Sequence, residues 1–205
     1  MSIHWGKGYF NGLQTLEKEL IIAAQQGSVG AFEQLIGLVE KKMLSLAAGL
    51  ASSPDEADDI YQDAMVSAFK ALPKFRLESQ FSTWIYRIVV NTAISSKRKL
   101  KSKINRYMTP NRHDGGDYLE QASYEQYGHL DNPEAELVNE QLNQAINRAL
   151  ACLSDKERVA FVLCHQQEFK IVDAAQVMNC SDGTVKSYLF RAREKMRAEL
   201  TPYVR

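Results

Sequence analysis

The sequence lacks the residue patterns that mark several common classes of protein. Its three cysteines (Cys152, Cys164, Cys180) are odd in number and widely spaced, which argues against a disulfide framework or a zinc site and predicts buried thiols. The four histidines are scattered, and no two have the spacing to share a metal on one helix face. Motifs of serine hydrolases, zinc hydrolases and phosphate-binding loops are also missing. We therefore predict no catalytic site, no cofactor and no bound metal.

Two further absences limit the location and the partners of the protein. No apolar run approaches the length of a membrane span, and the first residues lack the apolar core of a signal peptide. We therefore expect a cytoplasmic protein with no membrane insertion. The 25 basic residues are balanced by 25 acidic ones, so any binding to nucleic acid has to come from local basic patches.

Alternating apolar patterns typical of β-strands are nearly absent, since the apolar residues recur at helical spacing. We predict an all-α fold of two small helical domains, an N-terminal helical bundle and a four-helix C-terminal domain, joined by a flexible linker. The helices predicted in the bundle run at about Leu16 to Gln26, Val29 to Ala51, Pro54 to Leu72 and Ser82 to Lys101. The predicted divisions are an N-terminal extension over residues 1–15, the bundle over 16–103, the linker over 104–132 and the C-terminal domain over 133–205.

The linker is predicted from a stretch in which one proline and three glycines interrupt the helical pattern and acidic residues outnumber basic ones. Helical structure is expected to resume at Asn132-Pro133, because proline is favoured at the first helical position after a capping residue. A second start is predicted at Ser154, where Glu157 completes a capping box.

The segment from Lys170 to Arg197 has the pattern of a helix-turn-helix. A short apolar stripe ends at Asn179, a residue that tolerates the left-handed conformation of a helix end, and Ser181 is placed to cap a second helix. From Lys186 to Arg197 that helix carries five basic residues against one acid, and Phe190 falls on the face opposite the apolar stripe. This face suits the phosphate-lined groove of DNA, although a solvated basic helix is the plainer alternative.

The helix that begins at Ser53-Pro54 is strongly acidic. Asp55, Asp59 and Asp63 are spaced four residues apart and therefore form one carboxylate stripe, which repels itself unless a basic partner faces it. The stripe is either a docking face for a basic protein surface or simply solvated acidity. The residues by themselves favour solvated acidity.

An aromatic loop follows this helix and leads into a basic one. Phe75, Phe81 and Trp84 lie beside arginine and asparagine side chains, a combination that can stack on and hydrogen-bond single-stranded bases. The alternative is a core position for these rings, and their spacing favours the core for at least two of the three. Five basic residues then occur between Lys97 and Lys103 with no acid among them, which suits contact with a phosphate backbone.

Taken in this order, the features resemble a sigma factor of the sigma-70 family, in its compact extracytoplasmic-function group. The resemblance rests on ADDIYQD at residues 57–63, FSTWIYRI at 81–88 and GTVKSYLFRAR at 183–193. It implies that the chain binds core RNA polymerase and promoter DNA and directs promoter-specific initiation, with the polymerase performing the chemistry. In this group an anti-sigma protein is a common further partner.

The resemblance also implies roles for individual residues. Those implied to bind the polymerase lie on the acidic helix: Asp58, Asp59, Gln62 and Asp63. Those implied to contact the melted minus-10 element are Phe75, Arg76, Ser79, Gln80, Phe81, Trp84, Arg87, Asn91, Lys97 and Arg98. Those implied to read the minus-35 element in the major groove are Thr184, Lys186, Ser187, Tyr188, Phe190 and Arg191.

Three departures from the family pattern are present. Tyr188 stands where arginine is usual, Leu77 stands where a loop glycine is common, and Asp173-Ala174-Ala175 replaces a more usual Glu-Ile-Ala. Two other functions remain as alternatives. A helix-turn-helix regulator would bind duplex DNA independently of polymerase, but it has no need for the acidic helix and the aromatic loop together. A metal-dependent enzyme built on the aspartate stripe would need ligands that the sequence does not supply.

Overall fold

The protein was analysed as a computed structural model, which describes the backbone of residues 7–107 and 145–201 and the side chains of residues 16–99 and 145–201. Over these residues the chain is helical and contains no strand, which confirms the predicted all-α fold. None of the described helices is both long and apolar enough to cross a membrane.

The helices are numbered along the chain. The first part contains α1 (Lys7–Gln25), α2 (Val29–Gly37), α3 (Glu40–Leu50), α4 (Pro54–Ala71), a 3-10 turn (Leu72–Lys74) and α5 (Phe81–Tyr107). The second part contains α6 (helical over residues 145–151), α7 (Asp155–Phe161), a π-helical turn (Val162–Gln166), α8 (Ile171–Met178) and α9 (Asp182–Leu200).

Serine caps fix where four of these helices begin. The hydroxyls of Ser28, Ser53, Ser154 and Ser181 each accept a hydrogen bond from the backbone N–H three residues later, at 3.1 to 3.4 Å. At Ser154 the Glu157 carboxylate returns the bond to the serine N–H, so the predicted capping box is complete. These caps satisfy helix N–H groups that have no partner within the helix.

Two predicted boundaries differ from the structure. The helix expected over Val29 to Ala51 is divided into α2 and α3, because the chain tightens into a turn in which the Val39 N–H donates to the Ile36 carbonyl at 2.9 Å. The second difference lies at the predicted linker, whose first residues, 104–107, are still helical and end α5. The rest of the predicted linker and the start predicted at Asn132 lie outside the described residues.

One apolar core holds the first part together and extends into the second. Its fully buried side chains on α2 to α5 include Leu35, Met43, Leu46, Ile60 and Ile85. Val159, Leu163 and Val185 from the second part belong to the same cluster of buried residues. A smaller cluster, which includes Ala149 and Met196, lies between α6 and α9.

The two parts of the chain also meet through hydrogen bonds. Arg158 on α7 donates from Nε to the Gly49 carbonyl at 2.9 Å and from its guanidinium to the Ala51 carbonyl, at the C-terminal end of α3. The Gln167 amide donates to the Ser45 hydroxyl at 2.9 Å and accepts a bond from the Tyr86 hydroxyl at 3.3 Å. A side chain on Gly49 would clash, because an added Cβ would lie 2.8 Å from Cγ1 of Val162. The second part is therefore seated closely on α3 and α5.

Candidate protein and nucleic-acid interfaces

The acidic face of α4 is exposed along its whole length. Ala57, Ile60, Ala64 and Ala68 point into the core, which turns the opposite face to solvent. The four residues predicted to bind polymerase all lie exposed on that face: Asp58, Asp59, Gln62 and Asp63. Within the described part of the chain, no cation forms an ion pair with these aspartates. Over the described residues, the face is thus a negatively charged surface whose aspartates form no ion pair.

The aromatic side chains after α4 are mostly packed inside the protein. Phe75 and Phe81 are buried and contact each other edge to face, with ring centroids 6.3 Å apart. Trp84 is half-buried and covers both, at centroid distances of 4.9 Å from Phe75 and 5.5 Å from Phe81. The expectation that at least two of these rings belong to the core is confirmed, and Trp84 is the one with appreciable exposure.

Beside this aromatic cluster lies an open polar cavity of about 770 Å³. Its walls include six of the residues predicted to contact melted DNA: Phe75, Arg76, Ser79, Gln80, Trp84 and Arg87. We call it the loop pocket. Lys74 and Thr83 also line it, although no sequence pattern predicted a role for either residue. Thr83 could have been found from its spacing, because it lies one helical turn before Arg87 on α5.

One wall of the loop pocket comes from the second part of the chain. Asp173 and Gln176 of α8 line it, and Arg87 donates from Nε to the Gln176 backbone carbonyl at 2.9 Å. These two residues precede the turn of the helix-turn-helix, so sequence position gave no sign that they approach α5. The pocket is therefore shared between the two domains.

The loop that forms the pocket is bent by Leu77. This residue has a positive φ of 59°, in the left-handed region that costs an L-amino acid with a Cβ about 1–2 kcal/mol. A glycine, which the resemblance to sigma factors implies is common at this position, would adopt this φ without that cost. Leu77 is also one of the exposed large apolar side chains.

The remaining residues predicted to contact the minus-10 element lie further along α5. Asn91 is exposed and follows Arg87 by one turn, so both lie on the same side of the helix. Arg98 is exposed and Lys97 is half-buried. They extend the polar side of α5 away from the loop pocket.

The helix-turn-helix has the predicted local geometry. Asn179 ends α8 in the left-handed conformation, with φ 50° and ψ 52°, and Ser181 caps α9 through the Thr184 N–H at 3.2 Å. Val185, Leu189, Ala192 and Met196 are the buried residues of α9.

Cys180 is half-buried, but Cys152 is exposed, so the prediction of three buried thiols is wrong.

The outer face of α9 presents the predicted duplex-reading residues unequally. Lys186, Phe190 and Arg191 are exposed, and the Phe190 ring keeps 67% of its surface accessible. Ser187 is also exposed, but its hydroxyl donates to the Gly183 carbonyl at 2.9 Å. Thr184 and Tyr188 are half-buried, and Tyr188 packs against the core. An exposed aromatic ring between two cations is suited to a groove that offers both methyl groups and phosphates.

Comparison with protein families gives two matches in the chain. Residues 35–103 match the model of sigma-70 region 2, and residues 143–196 match the model of sigma-70 region 4. The first match contains α4 and the loop-pocket residues of α5 and the preceding loop, and the second contains the helix-turn-helix, including the two α8 residues that line the pocket.

Curated relatives match over nearly the whole length. The chain is 32% identical over 197 residues to the ECF RNA polymerase sigma-E factor of Escherichia coli (strain K12), covering 94% of this chain and 98% of the relative. It is 31% identical over 196 residues to the RNA polymerase sigma-H factor of Pseudomonas aeruginosa, covering 94% and 97% of the two chains.

Solved structures share the fold. The sigma factor RpoE of Bartonella quintana, in complex with the anti-sigma factor NepR, superposes with a TM-score of 0.62 and 28% identity, covering 84% of this chain and 98% of that one. CnrH, in complex with the cytosolic domain of CnrY, gives a TM-score of 0.60 at 22% identity, covering 91% and 98%.

Proposed function

We propose which surface of this chain performs which part of its function. The chain belongs to the sigma-70 family of RNA polymerase sigma factors and to its extracytoplasmic-function group. As a member of that family it binds core RNA polymerase and directs promoter-specific transcription initiation. Sigma factors are not enzymes, and the polymerase forms the phosphodiester bonds. Because the polymerase and the promoters are cytoplasmic, we assign the protein to the cytoplasm.

The acidic face of α4 is the proposed polymerase-binding surface. The observation that carries this assignment is that Asp58, Asp59 and Asp63 are exposed on one face without an ion-pair partner among the described residues. Like charges at this spacing repel one another, so a basic partner surface would remove an unfavourable interaction as well as add a favourable one. A DNA-binding regulator that acts alone has no use for such a face.

The loop pocket is the proposed site for a base displaced from the minus-10 element. Because Phe75 and Phe81 are buried, we assign them to the support of the pocket and assign direct contact to Arg76, Gln80 and the accessible side of Trp84. A half-buried indole offers a stacking surface, and neighbouring amide and guanidinium groups can hydrogen-bond the edge of a base. Asn91, Lys97 and Arg98 would then follow the strand along α5.

The exposed face of α9 is the proposed reader of the minus-35 element. Arg191 is assigned to a guanine, because a guanidinium can donate two hydrogen bonds to the O6 and N7 acceptors of that base. Phe190 is assigned to a thymine methyl group, and Lys186 to phosphate or a base edge. An anti-sigma protein is a further proposed partner, because the Bartonella quintana relative is bound to one.

Run-off transcription tests this division of work. The wild-type chain and a variant with Asp59→Asn and Asp63→Asn are each mixed with core RNA polymerase and a library of randomised promoters. We expect the wild type to associate with core and to create new start sites, and the variant to lose association without losing its helical content. A matched control, Asp173→Asn, removes a charge from α8 and should leave association with core unchanged.

The alternative of an independent regulator makes the opposite prediction. Such a protein would bind a duplex from the library in the absence of core, with an affinity that the α4 substitutions do not change. Tight, sequence-selective duplex binding by the chain alone would contradict the proposed division.

A further inference from the structure

We infer that Gln25, the last residue of α1, positions the loop of the minus-10 pocket and thereby helps to determine which base the pocket accepts. This inference rests on the proposed function of the loop pocket. Gln25 does not line that pocket, and neither the sequence patterns nor the family resemblance assigned it a role. It is a positioning residue that acts through the backbone it holds.

The Gln25 amide bridges two carbonyl groups far away in the sequence. Its Nε2 donates to the Leu72 carbonyl oxygen at 3.1 Å and to the Phe75 carbonyl oxygen at 2.7 Å. A side-chain amide has two N–H donors, so both are used. Leu72 begins the 3-10 turn and Phe75 ends it, which means that the half-buried Gln25 holds both ends of the turn.

The position of Phe75 determines the position of the pocket wall that follows it. The Phe75 ring is fixed beneath Trp84, and its carbonyl, held by Gln25, belongs to the peptide bond that leads directly to Arg76. The other end of the loop is fixed where Gln80 accepts a hydrogen bond from the Trp84 N–H at 3.1 Å. Between these anchors the chain makes its left-handed bend at Leu77. Rotation of the peptide bond between Phe75 and Arg76 would therefore redirect the Arg76 side chain, while the rings of Phe75 and Trp84 stayed in place.

The anchoring of α1 does not depend on this amide. Ile21 and Ala24, on the inner side of α1, are buried and belong to the apolar core. Loss of the two hydrogen bonds should consequently release the loop without detaching the helix. This separates a positioning role from a general role in folding.

The test compares three substitutions. Gln25→Glu keeps the shape of the side chain but replaces both donors with a carboxylate that repels the two carbonyl oxygens. Gln25→Lys retains N–H donors at a similar reach. Gln26→Glu makes the same chemical change at the neighbouring exposed position and is the matched control.

Each protein is assembled with core RNA polymerase and given a library randomised at both promoter elements, and the sequences of the transcribed promoters are read. We expect Gln25→Glu to lose at least tenfold in base preference at the minus-10 positions while its minus-35 preference and its association with core stay as in the wild type. Gln25→Lys and Gln26→Glu should keep the wild-type preference at both elements.

Different results overturn different statements. A Gln25→Glu protein that selects the wild-type minus-10 bases removes Gln25 from the recognition of that element but leaves the proposed function intact. An equal loss at both elements, or a loss in Gln25→Lys as large as in Gln25→Glu, assigns the effect to folding or shape and also overturns the inference. A wild-type protein without any minus-10 preference contradicts the proposed function of the pocket itself.

Discussion

The two candidate DNA surfaces differ in how the fold presents them. The outer face of α9 is open, with Lys186, Phe190 and Arg191 all exposed. The loop pocket, by contrast, is built between the two domains, since Asp173 and Gln176 of α8 form part of its wall. The surface proposed to read duplex DNA is therefore complete on α9, whereas the pocket proposed for a displaced base also needs residues of α8.

This difference bears on how both surfaces could be used together. The names of the two promoter elements place them about 25 base pairs apart, which is roughly 85 Å of DNA at 3.4 Å per base pair. A C-terminal domain bound at the upstream element cannot also form a wall of the loop pocket at the downstream one. We therefore expect the contacts between the domains to break when both elements are read, and the arrangement described above to be that of the protein free of DNA.

The largest expected effect comes from Arg158, which connects the domains. Its side chain is 8% exposed and donates to the Gly49 and Ala51 carbonyls at the end of α3. A hydrogen bond from a charged group contributes about 1.5–3 kcal/mol, so Arg158→Met should lower the free energy of unfolding by roughly 3 kcal/mol. Chemical denaturation followed by circular dichroism measures this change.

Arg158→Met should also open the loop pocket, so that it is no longer covered by α8 and becomes an open surface like the outer face of α9. With the second domain released, the loop pocket loses its α8 wall, and a fluorescent probe attached at Thr83, a half-buried residue of that pocket, should become more accessible to a soluble quencher, whereas a probe near the exposed Phe190 should not change. The control is Arg197→Met, because Arg197 is exposed and, among the described residues, forms an ion pair only with Glu194, at 2.9 Å. If the Arg158 variant kept wild-type stability and a protected probe, the domains would be held together by other contacts.

A smaller effect is expected at the open surface. Arg191→Ala should cost about 1–3 kcal/mol of discrimination at one base pair of the upstream element, or roughly 5- to 150-fold in relative promoter use. Sequencing of transcripts from the randomised library measures it. Arg197→Ala, which removes the same charge from the same helix, should change selectivity little. Equal effects of the two substitutions would assign Arg191 to general phosphate attraction.

The features that sequence predicted best are those that depend on neighbouring residues. The caps at Ser154 and Ser181 and the left-handed Asn179 follow from side chains that bond or bend the adjacent backbone, and all are confirmed. The division into α2 and α3 was missed because no proline marks it. Helical spacing continues across the turn at Val39, and only Gly37 weakens the pattern.

The features that sequence could not predict depend on residues distant in the chain. Arg158 bonds carbonyl groups more than 100 residues away, and Gln25 bonds carbonyls 47 and 50 residues away. Backbone carbonyls occur at every residue, so nothing in the pattern singles out these partners. Spacing favoured the core for at least two of the rings of Phe75, Phe81 and Trp84, but it did not say which two, because an aromatic loop has the same composition whichever rings point inward.

The smallest expected effect tests whether the ion pair between Glu157 of α7 and Lys195 of α9 stabilises the helix that carries the duplex-reading face. Burial pushes the pKa of Glu157 upward, but hydrogen bonds from Lys195, at 2.7 Å, and from Ser154 together hold it below the ordinary glutamate value. A depressed carboxyl pKa stabilises the fold above the ordinary value, about pH 4.3, and that contribution is lost as the pH falls further.

We expect Glu157→Gln to lower stability at pH 7 by about 1 kcal/mol, because Lys195 is partly exposed and its ion pair is screened. The difference from the wild type should shrink below about pH 4, where the wild-type carboxyl becomes protonated. Glu194→Gln is the control, since its exposed pair with Arg197 should contribute only a few tenths of a kcal/mol at any pH. Thermal denaturation of the three proteins from pH 7 to pH 3 measures both trends. A stability difference between Glu157→Gln and the wild type that stays constant over this range would mean that the effect does not depend on the charge of the carboxylate. The ion pair with Lys195 would then give α9 no support.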